Sequence, residues 1–97
     1  MQITIHSIHF DADKKLLELI SKKLEKLNLF DDELIFSEVF LRVEKSDTNT
    51  NKVVEVKVNT KNKEFFASKQ CESFEQAIDL VQDALKRQVK KNKERKR

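Results

Sequence analysis

The chain contains neither glycine nor proline, and this absence limits what its 97 residues can form more than any other feature. Glycine-dependent phosphate loops, such as GxGxxG and the P-loop, cannot occur in it. Collagen-like repeats, Gly/Ser linkers and proline-rich segments are excluded as well. Tight hairpin turns lose their best residue, so we expect asparagine or aspartate at any left-handed backbone position. The asparagines in predicted connectors are Asn28, Asn49, Asn51, Asn59 and Asn62.

The length and composition predict one small domain. A chain of 97 residues has room for a single modest core, and 38% of the residues are hydrophobic. Cys71 is the only cysteine, so no internal disulfide is possible, which fits a reducing compartment. Residues 1–9 lack the basic and apolar regions of a signal peptide. No apolar stretch approaches the roughly 20 residues of a membrane span.

The hydrophobic periodicity predicts four strands and two helices in the order β-α-β-β-β-α. Apolar residues alternate with polar ones in four segments, near residues 3–6, 37–45, 53–58 and 64–68. Three of these strands follow one another with short turns, which predicts an antiparallel meander, and the first strand pairs parallel to the second. Both helices then cover one face of the sheet, an α+β two-layer domain similar in shape to double-stranded-RNA-binding domains. The open face would carry Thr4, His6, Phe40, Arg42, Glu55, Lys57 and Phe66.

The two predicted helices have recognisable ends. Asp13 caps a helix over residues 14–28, and we expect Asn28 to close it in the left-handed conformation, with the next two residues folding back onto the core. Ser73 and Gln76 match a capping box at the start of the second helix. Val89 is its last core-type residue. Residues from about 90 to 97 are therefore predicted to be a basic helix end that overhangs the core and frays.

Few residues could support catalysis. His6 and His9 lie on or just after a strand, no spacing typical of a metal site occurs, and Cys71 is predicted to be an inert cysteine in a turn. The acidic residues 31–33 are predicted to form a solvated loop without a pocket. The sequence therefore predicts a protein that is not an enzyme and that binds no metal, cofactor or small-molecule substrate.

Positive charge is concentrated at the carboxyl end. Residues 86–97 hold eight basic residues and one acid, a formal charge of +7, and because the whole chain carries +3 the remainder carries −4. Helical spacing puts Lys86, Lys90, Lys93 and Arg97 on one stripe, predicted to lie opposite the apolar one, with Arg87 and Lys91 beside it. Such like charges repel one another, and a polyanion would relieve that repulsion and release counterions. The alternative is a solubilising tail.

Two further features favour a polyanion partner. The first helix carries outward lysines that could border one groove with the basic end of the second helix: Lys15, Lys22, Lys23 and Lys26. On the open sheet face, Phe40 and Phe66 could stack on bases or contact a protein. Either residue could equally be ordinary exposed apolar surface.

Five segments, taken in order, resemble the ribosome hibernation promoting factor family, also called sigma-54 modulation protein or ribosome-associated inhibitor. They are MQITIHSIHFDAD at the start, KKLEKL in the first helix, VFLRVEK in the second strand, FFAS in the fourth strand, and AID with LKRQVKKNK in the last helix. The resemblance implies a bacterial cytoplasmic protein that binds the small (30S) ribosomal subunit in the channel for messenger and transfer RNA. It implies inhibition of translation in stationary phase or stress, without enzymatic activity or a membrane.

The resemblance also implies which cations contact 16S ribosomal RNA. The matching positions are Lys23, Lys26, Arg42, Arg87, Lys91, Lys93 and Arg95, with Lys86 and Lys90 on the same basic helix. Glu75 stands where the family usually has an aromatic residue, and the turn at residues 60–63 lacks the family's glycines. No acidic tail or dimerisation domain follows, so the chain resembles the short form. The alternatives are a general RNA-binding module and a protein-interaction domain that uses the open sheet.

Overall fold

The predicted α+β order is confirmed by a computed structural model that describes residues 1–45 and 47–95, without the side chain of Arg95. Four strands and two α-helices follow in the order β-α-β-β-β-α, with a short 3₁₀ helix after the first α-helix. The elements are β1 (Gln2–Ser7), α1 (Lys14–Glu25), the 3₁₀ helix (Lys26–Leu29), β2 (Phe36–Val43), β3 (Lys52–Asn59), β4 (Glu64–Cys71) and α2 (Phe74–Arg95).

The four strands form one sheet in the order β1-β2-β3-β4. β1 pairs parallel to β2, and the other two pairings are antiparallel, as the connections predict. Ile5, Val39, Val56 and Ala67 lie in one row across the strands. This row faces the helices, so alternate residues along each strand enter the core and the others stay on the open face.

A single hydrophobic core joins both helices to one face of the sheet. Ile20 and Leu24 of α1, with Ile78 and Leu85 of α2, are fully buried against the valines of β2 and β3. Burial of each such side chain contributes about 1.5–3 kcal/mol to the free energy of unfolding. Val53 is an exception to the pattern, because it lies on the open face yet is only 3% exposed between Arg42 and Gln70.

The helix starts follow the predicted chemistry. Asp13 Oδ1 accepts a hydrogen bond from the backbone N–H of Leu16 at 2.8 Å, and Ser73 Oγ accepts one from Gln76 at 3.1 Å. Val89 is the last fully buried residue of α2, and the helix continues for six residues to Arg95. The predicted extent of the ribosome-binding domain, and fraying of its end, stay predictions, and residues 96–97 lie outside the described part.

The prediction that asparagines adopt the left-handed conformation is wrong. Among the described residues only His9 has a positive φ, 64°, and histidine is one of the side chains that tolerate this region. Asn28 instead continues the chain in the 3₁₀ helix. Leu29 is 80% exposed, so only Phe30 folds back onto the core.

Two other local predictions need correction. In the turn between β3 and β4, the hydroxyl of Thr60 accepts hydrogen bonds from the backbone N–H groups of Asn62 and Lys63. The side chain of a threonine therefore stabilises this turn, and not an asparagine in the left-handed conformation. β4 is longer than predicted and ends at Cys71, which is therefore a buried strand residue and not a turn residue. The sequence pattern did not predict the second half of β4, because its polar residues lie exposed at the edge of the sheet.

Candidate nucleic-acid interface

Arg42 lies on the open sheet face and is enclosed by carboxylates. Its Nε donates to Glu44 at 2.6 Å, and an Nη nitrogen donates to Glu55. The hydrogen bonds that Arg42 donates, first to Glu44 and then to Glu55, raise its pKa, so the guanidinium stays protonated. Two carboxylates therefore compensate this charge, and the side chain lies on the face opposite to the helices.

Lys23 and Lys26, the two predicted contacts near the end of α1, differ in their surroundings. Lys23 Nζ lies 2.6 Å from Asp79 of α2, and its backbone carbonyl accepts a hydrogen bond from Gln82 at 2.8 Å. Lys23 thus joins the two helices. Lys26 is exposed at the start of the 3₁₀ helix, and the described part of the chain places no carboxylate within 4.0 Å of its ammonium group.

Lys86 and Lys90 both contact the ring of Phe30. Each ammonium nitrogen lies 4.9 Å from the ring centroid. Because Phe30 packs against the core, these lysines lie beside the apolar face of α2, and the prediction that their stripe lies opposite that face is wrong. No carboxylate of the described residues comes within salt-bridge distance of either lysine, so their charges are not compensated by an ion pair.

Lys93 continues this row and meets Asp31. The prediction of a solvated acidic loop is wrong for Asp31, which is only 1% exposed. Its Oδ1 accepts from the backbone N–H of Glu33 at 2.9 Å and lies 3.9 Å from Lys93 Nζ, whereas Oδ2 has no partner among the described atoms. Lys93 is thus the counter-ion of a buried carboxylate, which gives it a structural role as well as a surface position.

The remaining predicted cations lie on the outer side of α2. Arg87 is largely exposed and pairs with Asp83 one turn earlier. Lys91 is exposed at a shallow cleft of about 200 Å³ between α2 and the turn before β4, which Lys63 and Gln88 also line. The side chain of Arg95 lies outside the described residues.

Phe40 and Phe66 share the open face but do not form one platform. In the sheet register Phe40 lies opposite Glu55 and Phe66 opposite Lys57, so β3 separates them. The ring of His6 stacks on Phe40 with centroids 4.9 Å apart. Phe66 remains 47% exposed.

Acidic side chains accompany these aromatic residues. His6 Nε2 lies 3.2 Å from Glu38, and Glu44 and Glu55 surround the guanidinium of Arg42. This acidic surrounding makes the open face a poor match for RNA phosphates.

Phe30 and Asp31 are the interface residues that sequence reasoning missed. They follow a 3₁₀ helix and precede further acidic residues, which is typical of an ordinary polar connector. They lie more than fifty residues before Lys86, Lys90 and Lys93, so no local spacing connects them to these lysines. The only signal was an aromatic residue next to an acid in an otherwise polar loop.

The described residues offer little for other chemistry. Across 1–45 and 47–95, no three His, Cys, Asp or Glu side chains group closely enough to hold a metal ion. A cleft of about 490 Å³ lies at the start of both helices, where the rings of Phe10 and Phe74 stack, and Glu75 lies at its rim with Asp11 and Asp13. None of the described helices combines the length and hydropathy that crossing a membrane requires.

Solved structures share this fold. A ribosomal subunit interface protein from Coxiella burnetii superposes with a TM-score of 0.84 over 96% of this chain and 98% of its own, at 22% identity. The N-terminal domain of Protein Y from Thermus thermophilus superposes with a TM-score of 0.82 over 95% of this chain and 99% of its own, also at 22% identity.

Sequence comparison connects the chain to a family. The ribosome hibernation promoting factor of Pseudomonas putida is 30% identical over 95 residues, which cover 98% of this chain and 89% of that protein. The family model described as sigma 54 modulation protein / S30EA ribosomal protein matches residues 3–97. This is a family of ribosome-associated factors and not of enzymes. The chain therefore belongs to the sigma 54 modulation protein / S30EA ribosomal protein family.

Proposed function

We propose that this protein is a ribosome hibernation factor that binds 16S ribosomal RNA on the small (30S) subunit. In this proposal it occupies the channel for messenger and transfer RNA and inhibits translation in stationary phase or stress in the bacterial cytoplasm. The observation that carries the proposal is the pair of uncompensated ammonium groups on α2, those of Lys86 and Lys90, in a chain of this family. Exposed Lys91 and Lys26 carry further positive charge.

The chemistry of this surface favours a phosphate backbone. Lysines without carboxylate partners keep their full charge for a polyanion, and each phosphate they neutralise releases condensed counterions. Because such contacts do not depend on base identity, the assembled shape of the subunit would supply the specificity. Inhibition would then follow from occupancy alone, because messenger and transfer RNA need the same space.

The predicted contacts divide into two groups. Lys26, Lys86, Lys90 and Lys91 are the cations that we propose as phosphate contacts, with Arg87 as a weaker one because it pairs with Asp83. Arg95 belongs to the proposal through its position on the same helix. Lys23, Lys93 and Arg42 already pair with carboxylates, so phosphate contact by any of them would require an existing ion pair to open.

The alternative is a general RNA-binding module of the same topology. It differs in its preference, since it would bind an isolated RNA duplex as tightly as the assembled subunit. A protein-interaction domain would instead depend on Phe66 and Phe40 of the open face and tolerate loss of the lysines.

Co-sedimentation with purified ribosomal subunits across a salt series tests the proposal. We expect binding to 30S but not to 50S subunits, and with six or more phosphate contacts the affinity should fall by about 10³-fold or more between 50 and 200 mM salt. An RNA duplex of matched length and a cell-free translation assay complete the design. Equal affinity for the duplex, a flat salt response, or undiminished translation at saturating protein would contradict the proposal.

A further inference from the structure

Two ammonium groups lie over the single ring of Phe30. The Nζ atoms of Lys86 and Lys90 each lie 4.9 Å from its ring centroid. They can therefore be no farther apart than twice that distance. The ring is itself fixed, because Phe30 packs against the hydrophobic core after the 3₁₀ helix.

An aromatic ring orients a cation without compensating its charge. A carboxylate partner fixes a lysine but also neutralises it, as Asp79 does for Lys23. A ring face attracts an ammonium group by about 0.5–1 kcal/mol at an exposed site and leaves its positive charge available to an anion. Lys86 and Lys90 are thus held near each other although like charges four residues apart on a helix repel.

Immobilisation before binding also lowers the entropic cost of binding. A free lysine side chain loses up to about 2 kcal/mol of rotamer entropy when an anion fixes it. For Lys86 and Lys90 part of this loss has already occurred in the unbound protein, because both extend along the ring of Phe30. An anion between the two ammonium groups would in addition remove their mutual repulsion.

We propose that Lys86 and Lys90 form a preformed binding site for one phosphodiester group, with Phe30 as its positioning residue. The assignment of the phosphodiester to ribosomal RNA rests on the proposed function, whereas the anion site itself does not. Lys93, held by buried Asp31 one turn further along α2, fixes the helix end next to the site.

The first test uses the protein alone. Inorganic tripolyphosphate is titrated into protein with labelled lysines, and side-chain NMR signals are followed in the wild type, Phe30→Leu, Phe30→Tyr and Leu29→Ala. We expect the signals of Lys86 and Lys90 to shift first and furthest. Phe30→Leu should weaken this binding about threefold to tenfold. Phe30→Tyr retains a ring face and should bind like the wild type, and Leu29→Ala is the matched control because the neighbouring side chain that it shortens is 80% exposed.

The second test measures affinity for 30S subunits in a double-mutant cycle. Phe30→Leu should cost the same threefold to tenfold, but nothing further in a Lys86→Gln/Lys90→Gln background. An equal loss in that background would overturn the positioning role, as would equal shifts of all lysines in the titration. Thermal melting of each variant separates loss of folding from loss of the site. If tripolyphosphate binds at Lys86 and Lys90 while 30S subunits do not bind at all, the anion site stands and the proposed function fails.

Discussion

The open sheet face and the basic half of α2 both carry cations, yet the two regions hold them differently. On the sheet, Arg42 donates hydrogen bonds to two glutamates, which compensate its charge within the protein. On α2, Lys86 and Lys90 lie against an aromatic ring with no carboxylate among the described residues at salt-bridge distance. The number of basic residues in a segment therefore does not determine how much of their charge is free to bind an anion.

The difference has a structural origin in the two types of element. Across adjacent strands, side chains on one face lie close enough for opposite charges to pair, and Arg42 and Glu55 are such diagonal neighbours. Val89 is the last fully buried residue of α2, and the helix continues beyond it to Arg95. On this helix the described residues place no carboxylate at salt-bridge distance from Lys86 or Lys90, whereas Lys93 pairs with Asp31 and Arg87 with Asp83 one turn earlier.

We expect the largest difference between the two regions in the affinity for 30S subunits. Lys90→Gln/Lys91→Gln removes two charges from α2 and should weaken 30S binding by about 100-fold or more, since each lost charged hydrogen bond costs about 1.5–3 kcal/mol. The slope of log affinity against log salt should fall by about 2 units. The measurement is co-sedimentation or fluorescence titration.

Arg42→Gln/Lys57→Gln is the matched control, because it removes the same charge from the open face. Its affinity should stay within about threefold of the wild type, the change expected from long-range electrostatics alone. If both double variants lost affinity equally, net charge would govern binding and the distinction between the regions would be lost.

A smaller effect concerns how the basic end is anchored. Lys93→Met should lower the free energy of unfolding by about 1–2 kcal/mol, because it leaves the buried carboxylate of Asp31 without its counter-ion. Lys91→Met, two residues earlier and exposed, should change stability by less than about 0.5 kcal/mol. Urea denaturation at pH 7 measures both. In an Asp31→Asn background, the cost of Lys93→Met should disappear, and its persistence would show that the ion pair is not the cause.

The elements of this fold were largely predictable, because periodicity directly reflects burial. The alternating valines of β3 and the regularly spaced leucines of α1 pack against the same core, so their local pattern was sufficient to predict these elements. The end of α1 was not predictable in the same way. Whether Asn28 adopts a left-handed conformation or continues into a 3₁₀ helix depends on Leu27 and Phe30, which reach the core only because the helix continues.

The candidate interface was predictable in composition but not in geometry. The lysines of α2 stand out in the sequence, whereas their partners Phe30 and Asp31 lie more than fifty residues away. Likewise, Arg42 alternates with apolar residues as an exposed strand cation should, and only the antiparallel register places Glu55 beside it. Pairing across the sheet is a tertiary property that no local pattern encodes.

Gln88 connects α2 to β4, the edge strand of the sheet. The side chain of Gln88 accepts a hydrogen bond from the backbone N–H of Phe66 at 3.3 Å and donates to its carbonyl at 2.7 Å. Gln88→Ala should cost about 1 kcal/mol of stability and increase hydrogen exchange at the amide of Phe66. Gln88→Glu keeps the acceptor but loses the donor, so it should cost less than Gln88→Ala and leave that amide protected. An unchanged exchange rate in Gln88→Ala would mean that the two hydrogen bonds do not hold α2 to β4.

The smallest effect is expected at Arg42 itself. Its ion pairs are partly exposed, so Arg42→Gln should lower stability by only about 0.2–1 kcal/mol, and less at high salt. A double-mutant cycle with Glu55→Gln measures the coupling between these two side chains. The pH dependence follows from the raised pKa of Arg42: a cation whose pKa rises on folding contributes its full stabilisation below its unfolded pKa, far above neutral pH for a guanidinium, and loses it only as the pH rises through the folded value. The contribution of the guanidinium should therefore be constant between pH 6 and 9. If Arg42→Gln removed a pH dependence within that range, a different group near Arg42 would be titrating. The two carboxylate contacts would then not fully account for the contribution of Arg42 to stability.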